Sequence, residues 1–197
     1  MKLSCVDPRG APGEVGRILV FHRTQRLFLR PAFLDDAAAI LAGIQDEGVV
    51  RNLARAPWPY GINDALAFAA LPQDLRLPHF LVTVPGAGVI GAAGLGEHDG
   101  GAELGYWIAR QHWGRGYATE AAGAVLQIAQ AIGHRRVTAG HFVDNPASGK
   151  VLRKLGFLAT GRLGRRYSLA RGCSVDSVEY ALDLEAEMDP APVARAA

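Results

Sequence analysis

Cysteine is scarce in this chain of 197 residues, which carries only Cys5 and Cys173. Two such distant residues make neither a disulfide framework nor a paired set of metal ligands, a usage that suits a reducing compartment. The histidines offer no zinc pattern either: His134 and His141 have no cysteine or acidic partner at ligand spacing, so no metal is expected. An excess of one charge is also missing. Lys and Arg number 21 against 19 Asp and Glu, and a net charge of +2 gives no general attraction to nucleic acid or an acidic membrane. No apolar run reaches membrane-spanning length, and the N-terminal MKLSCVDPRGAPGEVGRILVF is broken by Pro, Gly and charge where a signal peptide needs a longer apolar stretch. The expectation is a cytoplasmic protein without nucleic-acid or membrane partners, whose electrostatics act locally.

The chain does have the apolar content for one core: 49% hydrophobic residues at this length suit a single domain. Residues 1–22, rich in Pro and Gly, read as an extension, 23–185 as the domain, and 186–197 as a disordered tail without core pattern. Alternation in RLFLR, with Leu27 and Leu29 on one face, predicts a strand. Asp35 and Asp36 precede AAAILAGI at the positive end of a helix dipole, and a second helix is expected over Ile62 to Leu71, with Asn63 or Asp64 near its cap. HFLVTV, GVIGAAGL and AELGYWIA read as an antiparallel meander through glycine turns at PGAG and EHDGG. Then come a helix from Ala118 to Ile132, the strand RVTAGHFV, a helix from Pro146 to Leu155, a strand from Phe157 and a last strand over Val175 to Leu184. This is an α/β (α+β) domain with a mixed central sheet and helices on both faces.

In QHWGRGYATEAAGAVLQIAQ, Ala118, Ala121, Ala122, Val125, Ala129 and Ile132 recur at helical spacing and define a buried face. The first amides of such a helix lack intrahelical partners, and Gly114 and Gly116 leave the main chain bare just before it, an anion site suited to phosphate. Arg110 and Arg115 add positive charge beside it. Gly123, inside the helix, costs about 1 kcal/mol relative to alanine, and close packing on the sheet is the expected reason. A competing motif, Gly86, Gly88 and Gly91 in VPGAGVIG, satisfies the dinucleotide-binding spacing and would predict NAD binding. It lacks the long helix that must follow, so Gly86 to Gly88 reads as a hairpin turn.

At QHWGRGYATEA the chain resembles the GNAT superfamily of acetyl-CoA-dependent N-acetyltransferases: Gln111, Gly114 and Gly116 fill its signature of Gln or Arg, two residues, Gly, one residue, Gly or Ala. TQRLFLRPAFLDDAAAI, PWPYGINDALAF, AELGYWIA, DNPASGKVLRKLGF and VDSVEYALD extend the likeness in order, closest to the RimJ/RimL type. The resemblance implies a single GNAT-type domain with the acetyl-CoA pyrophosphate on the amides of Arg115, Gly116, Tyr117, Ala118 and Thr119. It places the pantetheine arm along Ile108 and Ala109, between splayed strands, and the thioester carbonyl on a backbone amide near Ile108. It also implies that Asn145, a helix cap by its place before Pro146, bonds the pantetheine or a water, and that Ser148 lies near the thioester sulfur. Many relatives carry a tyrosine acid four residues beyond Ser148; here that position is Leu152, which moves the proton donation to Ser148 or solvent.

Glu103 shares a strand face with Gly105 and Trp107, opposite Leu104, Tyr106 and Ile108. It reads either as the general base, with a pKa raised on an apolar strand, or as a solvated charge at the strand end; Glu97 and His98 are weaker bases in the turn. Lys150, Arg153 and Lys154 crowd one helix, with Arg153 the best placed for the 3'-phosphate of the cofactor, against the alternative of a solvated face. Trp58 and Tyr60 are expected at the acceptor entrance or at the edge of the core, and Trp113 and Phe157 as core anchors. Cys173 belongs to a turn and argues against a covalent intermediate. The reading is direct acetyl transfer to a primary amine, on a protein N-terminus or a small molecule, by an enzyme whose relatives are often homodimers. The alternative is a silent coenzyme A-binding module or sensor.

Overall fold

Alternation along one central strand sorts this domain into two cores. In the computed structural model, which describes residues 20–184, β5 (Gly101–Ile108) turns Ala102, Leu104 and Ile108 into one apolar cluster and Trp107 against the other. The extension through residue 19 and the tail 186–197 lie outside the described residues. The other strands are β1 (His22–Arg23), β2 (Phe28–Arg30), β3 (His79–Val84), β4 (Gly88–His98), β6 (Arg136–Phe142), β7 (Leu158–Ser168) and β8 (Cys173–Asp183). They form one sheet in the order β1-β2-β3-β4-β5-β6-β8-β7. All neighbours run antiparallel except β5 and β6.

The helices are α1 (Ala37–Ile44), α2 (Glu47–Val50), α3 (Ile62–Ala69), α4 (Tyr117–Ala131) and α5 (Pro146–Lys154). On one face α4 buries Ala121, Ala122, Val125 and Ala129 against Phe80, Val82, Ile90 and Leu104, while α5 adds Leu152. On the other, α1 and α3 bury Ile40, Ile44 and Ala65 over Leu81 and Ala92. Each fully buried aliphatic side chain contributes about 1.5–3 kcal/mol, so these faces fix the strand register. Among the described residues no helix is long and apolar enough to cross a membrane.

The feature that makes a site is a parting of the sheet. β4 and β5 pair continuously from Gly91 opposite Ile108 to His98 opposite Gly101, and β6 and β8 pair from Arg136 to Phe142. Between β5 and β6 the register holds at a single position, Glu103 opposite Thr138. Beyond it the strands diverge, and Tyr106 and Ile108 edge the gap.

Several expectations change locally. Asp35 and Asp36 stand at the helix start as expected, with Asp36 at the N-cap position of α1, but its carboxylate takes both guanidinium nitrogens of Arg30 at 2.7 and 2.6 Å and the Phe33 amide at 2.9 Å instead of a helix amide. Gly61 is the cap of α3, and Asp64 lies near it as expected, its carboxylate accepting the Gly61 amide at 2.8 Å. Gly86 and Gly88 turn the β3–β4 hairpin with φ of 78° and 69°, values that favour glycine, so the dinucleotide reading fails there. Ile132 is 43% exposed because α4 ends before it, and Ala118 is only half-buried. Trp113 is no core anchor: it is 47% exposed, whereas Phe157 is buried as expected.

Gly123 has no close-packing reason either. A Cβ there would meet only Leu155 Cδ2, at an ordinary 3.5 Å. Gly123→Ala should therefore raise unfolding stability by about 0.5–1 kcal/mol, read as a higher urea midpoint at unchanged slope; a lower midpoint would show an unseen constraint on that turn.

Candidate active site

Two left-handed glycines set the entry to α4. Gly114 and Gly116 have φ of 74° and 79°, and Gly116 occupies the cap position, where a side chain would be strained. No side chain caps the helix, so the amides of its first turn face outward without a side-chain acceptor among the described residues. The turn is held from behind. Arg26 donates to the Arg115 carbonyl at 3.0 Å, stacks 4.9 Å from the Tyr117 ring centre and pairs with Glu120 at 2.6 Å. Glu120, the one acid in the first turn of α4, also accepts from the Thr24 hydroxyl and the Arg26 amide at 2.5 and 2.8 Å. Its negative charge is thereby compensated instead of repelling an anion at the helix start.

These amides open on a cleft of about 780 Å³, the size of an ordinary ligand site, which passes through the parted sheet. Residues of both faces of β5 line it: Leu104, Tyr106 and Ile108 from one, Glu103, Gly105 and Trp107 from the other. Of the expected cofactor residues, Ile108, Gly114, Gly116, Tyr117, Ala118 and Thr119 line it, as do Asn145 and Ser148. Ala109, Arg110, Gln111 and Arg115 do not. Ala109 is fully buried and donates to Ile90 O at 2.8 Å, and Arg110 turns to Asp46 at 3.3 Å. Because Ala109 bonds toward β4, alternation directs the Ile108 N–H toward the gap. The Ile108 carbonyl on that side is taken by the Trp113 indole at 2.6 Å.

On α5, Asn145 caps the helix as expected, accepting the Ser148 amide at 3.4 Å with Pro146 in the first turn. Arg153 is turned away from the cleft to the Tyr180 hydroxyl at 3.2 Å, which corrects its preference as the phosphate contact; Lys150 and Lys154 line the cleft instead. Neither Trp58 nor Tyr60 lines it. Tyr60 is buried in the α1–α3 core, where burial and the nearby Asp64 charge push its hydroxyl up to about 12. Glu97 and His98 stay at the β4–β5 turn.

Three residues escaped the sequence reading. Tyr106 places its hydroxyl 2.8 Å from Ser148 Oγ, and burial pushes its pKa up to about 12, opposed by that hydrogen bond. Its signal was there: Tyr106 carries the one polar tip on the Leu104–Ile108 face. Arg166 sets its Nη1 2.5 Å from Glu103 Oε1, and both side chains are over four-fifths buried. The contact is an ion pair without hydrogen-bond alignment, since Glu103 Oε1 and Arg166 Nε have no hydrogen-bond partner. Glu103 is thus neither solvated nor alone on an apolar strand. Nothing local in GRLGRRYS marks Arg166 or connects it with Glu103, and the same holds for Arg26 behind the glycine turn.

The sequence profile of the Acetyltransferase (GNAT) domain matches residues 26–158. The chain belongs to the GNAT acetyltransferase family. It is 33% identical over 168 residues to YoaA of Bacillus subtilis (strain 168), named an uncharacterized N-acetyltransferase, covering 81% of this chain and 94% of that protein. Its fold matches a GNAT-family acetyltransferase from Bacillus anthracis with a TM-score of 0.72 at 21% identity, over 83% of this chain and 98% of that one. RimL, the ribosomal L7/L12 alpha-N-protein acetyltransferase solved with coenzyme A, matches with a TM-score of 0.70 at 20% identity, over 83% and 97% of the two chains. This GNAT protein is an N-acetyltransferase with RimL-type structural neighbours.

Its ion pairs predict an acid limit. Hydrogen bonds from Arg30 hold Asp36 below the usual carboxylate range against burial, and those from Arg171 do the same for Asp144. For Glu120 burial pushes upward, but Thr24 and Arg26 together outweigh it. Folded pKa values below unfolded ones mean stability that is full above the unfolded values, near 4, and lost as pH falls through the folded ones. The urea midpoint should hold down to about pH 4–5 and then fall, with a shallower fall in Glu120→Gln; an unchanged slope in that variant would contradict the pairing.

Proposed function

We propose that this GNAT enzyme transfers acetyl from acetyl-CoA directly to a primary amine inside the cleft. One observation carries the reading: uncapped amides at the start of α4, bared by Gly114 and Gly116, open onto a passage through the sheet. The fit to the cofactor is supported by the absence of any Cβ at those glycines and by Lys150 and Lys154 across the cleft. The diphosphate takes the amides from Arg115 to Thr119, and the pantetheine follows the free edge of β5 at Tyr106 and Ile108. The thioester supplies an activated acetyl carbonyl.

The Ile108 N–H, directed into the gap, is the donor for the oxyanion that develops on that carbonyl. The amine approaches from the Glu103–Gly105–Trp107 side. A carbon–nitrogen bond forms, the carbon–sulfur bond breaks, the amine proton leaves toward Glu103 through water, and the thiolate takes one proton. Ser148 is the donor to sulfur. With the Tyr106 hydroxyl donating to Ser148 Oγ, the serine passes its hydrogen to the thiolate as it takes the Tyr106 proton, which solvent then restores; Leu152, where a tyrosine acid would stand, is buried in the core. The acceptor is a small molecule or a protein N-terminus, and the protein acts in the cytoplasm.

Gly116→Glu should weaken acetyl-CoA binding by calorimetry at least about tenfold, because it adds strain and negative charge at the helix start. Unchanged affinity would remove the assigned site. Glu103→Gln should lower turnover most at neutral pH and less at alkaline pH, where more amine is already neutral; equal loss at every pH would reject the proton-acceptor role. Binding without product from any amine would favour a coenzyme A sensor.

A further inference from the structure

The acceptor half of the cleft has its carboxylates already matched. Glu103 is paired with Arg166, and Asp144 with both Arg51 at 3.0 Å and Arg171 at 2.8 Å. Arg171 grips both oxygens of Asp144, donates to the Arg51 carbonyl at 2.8 Å and lies 4.8 Å from the centre of the Phe142 ring. These are the two carboxylates that line the cleft, and each is held by arginine; Glu179, opposite Gly140 on the same sheet face, lies outside the lining. A polycationic amine would find no uncompensated acid among these groups, and its second charge would meet arginine.

Arg166 has a seat built for it. A Cβ on Gly140 would sit 3.0 Å from its Cζ, 3.1 Å from Nη2 and 3.3 Å from Nε, so the guanidinium lies close over this glycine and would have to shift if a side chain stood there. Beside it Gly105 is exposed, and a Cβ there would meet nothing within 4 Å, so the floor between Glu103 and Trp107 is open. The same sheet face keeps hydrogen-bonding capacity unused. Among the described residues the buried side-chain atoms without a partner are Glu103 Oε1, Arg166 Nε, Ser168 Oγ and Ser177 Oγ, and strand register puts all four residues on this face.

Resting on the acetyl transfer proposed above, the geometry points to a free α-amino acid as the acceptor, its amine on Glu103 and its carboxylate on the remaining donors of Arg166. In such a ligand the nitrogen and the carboxylate oxygen are three bonds apart, close enough to meet a neighbouring anion and cation together. Arginine presents a fork of donors of which one nitrogen is committed to Glu103. A peptide N-terminus keeps the amine but brings a neutral carbonyl in place of the carboxylate. Polyamines and aminoglycosides bring further cations.

Thiol release from acetyl-CoA by the full chain tests this with a panel of free amino acids, their neutral amides, a tripeptide, spermidine and an aminoglycoside. An amino acid should exceed its own amide in kcat/KM by at least about tenfold, through KM. Arg166→Gln should collapse that preference toward unity while acetyl-CoA affinity by calorimetry stays unchanged, and Arg166→Lys should restore part of it. Gly140→Ala, which presses on the guanidinium without removing it, should lower the preference less than Arg166→Gln does. An amide, tripeptide or polycation as the best acceptor, or equal loss for every amine in Arg166→Gln, overturns the assignment and leaves acetyl transfer standing. Bound acetyl-CoA with no product from any amine overturns both.

Discussion

The single register position between β5 and β6, Glu103 opposite Thr138, is the constraint on which the site depends. A β-sheet normally closes its own polar edge, because an unpaired N–H or C=O away from water is costly. Here pairing stops after one position, and the backbone of Tyr106 and Ile108 is left with hydrogen bonds to give. A ligand with amide groups, such as a pantetheine chain, can use that edge as a partial strand would. The fold therefore supplies recognition through its interrupted ladder, and α4 provides the anchor at the open end.

Charge compensation keeps the opened sheet tolerable. Glu120 would oppose an anion at the start of α4, but Arg26 neutralises it while also holding the Arg115 carbonyl, so one side chain fixes both the shape and the potential of the turn. On the far face Glu103 and Asp144 are answered by Arg166, Arg51 and Arg171. Breaking one partner of so buried a pair as Glu103–Arg166 leaves the other uncompensated, at a cost of about 3–5 kcal/mol. Both pairs connect strands or loops distant in sequence, so the walls of the cleft are joined by the same groups that set its charge.

That distance in sequence marks the boundary of what could be read before the fold was known. The strands, the long helices and the glycine turn follow from periodicity and from backbone chemistry, which are local. Asn145 before Pro146 announces its own cap. The pairing of Glu103 with Arg166 spans the β5–β6 parting and the β6–β8–β7 ladder, and no spacing rule connects them. Arg153 illustrates the converse. Helical spacing keeps it beside Lys150, but which side chain meets the cleft depends on how α5 lies on the sheet, and Arg153 reaches the Tyr180 hydroxyl while Lys150 and Lys154 line the cleft. Between the acceptor entrance and the edge of the core, the sequence leaves Trp58 and Tyr60 undecided; α1 and α3 close over Tyr60, whereas Trp58 is 40% exposed.

The placement of Tyr106 shows how the two faces divide the chemistry. The position where the family resemblance would put a tyrosine acid on α5 is the buried Leu152, and a hydroxyl reaches the same helix from β5 instead. Tyr106 and Glu103 have opposite parity on one strand, so the hydroxyl beside Ser148 and the carboxylate beside Arg166 stand on opposite faces of the sheet. In the reaction proposed above, the proton leaving the amine and the proton entering the thiolate would pass through separate environments: a charged, arginine-rich face for the first, and a mostly apolar face with paired hydroxyls for the second. The strand itself is the partition between the two faces, and its hydrogen bonding to β6 ceases after Glu103.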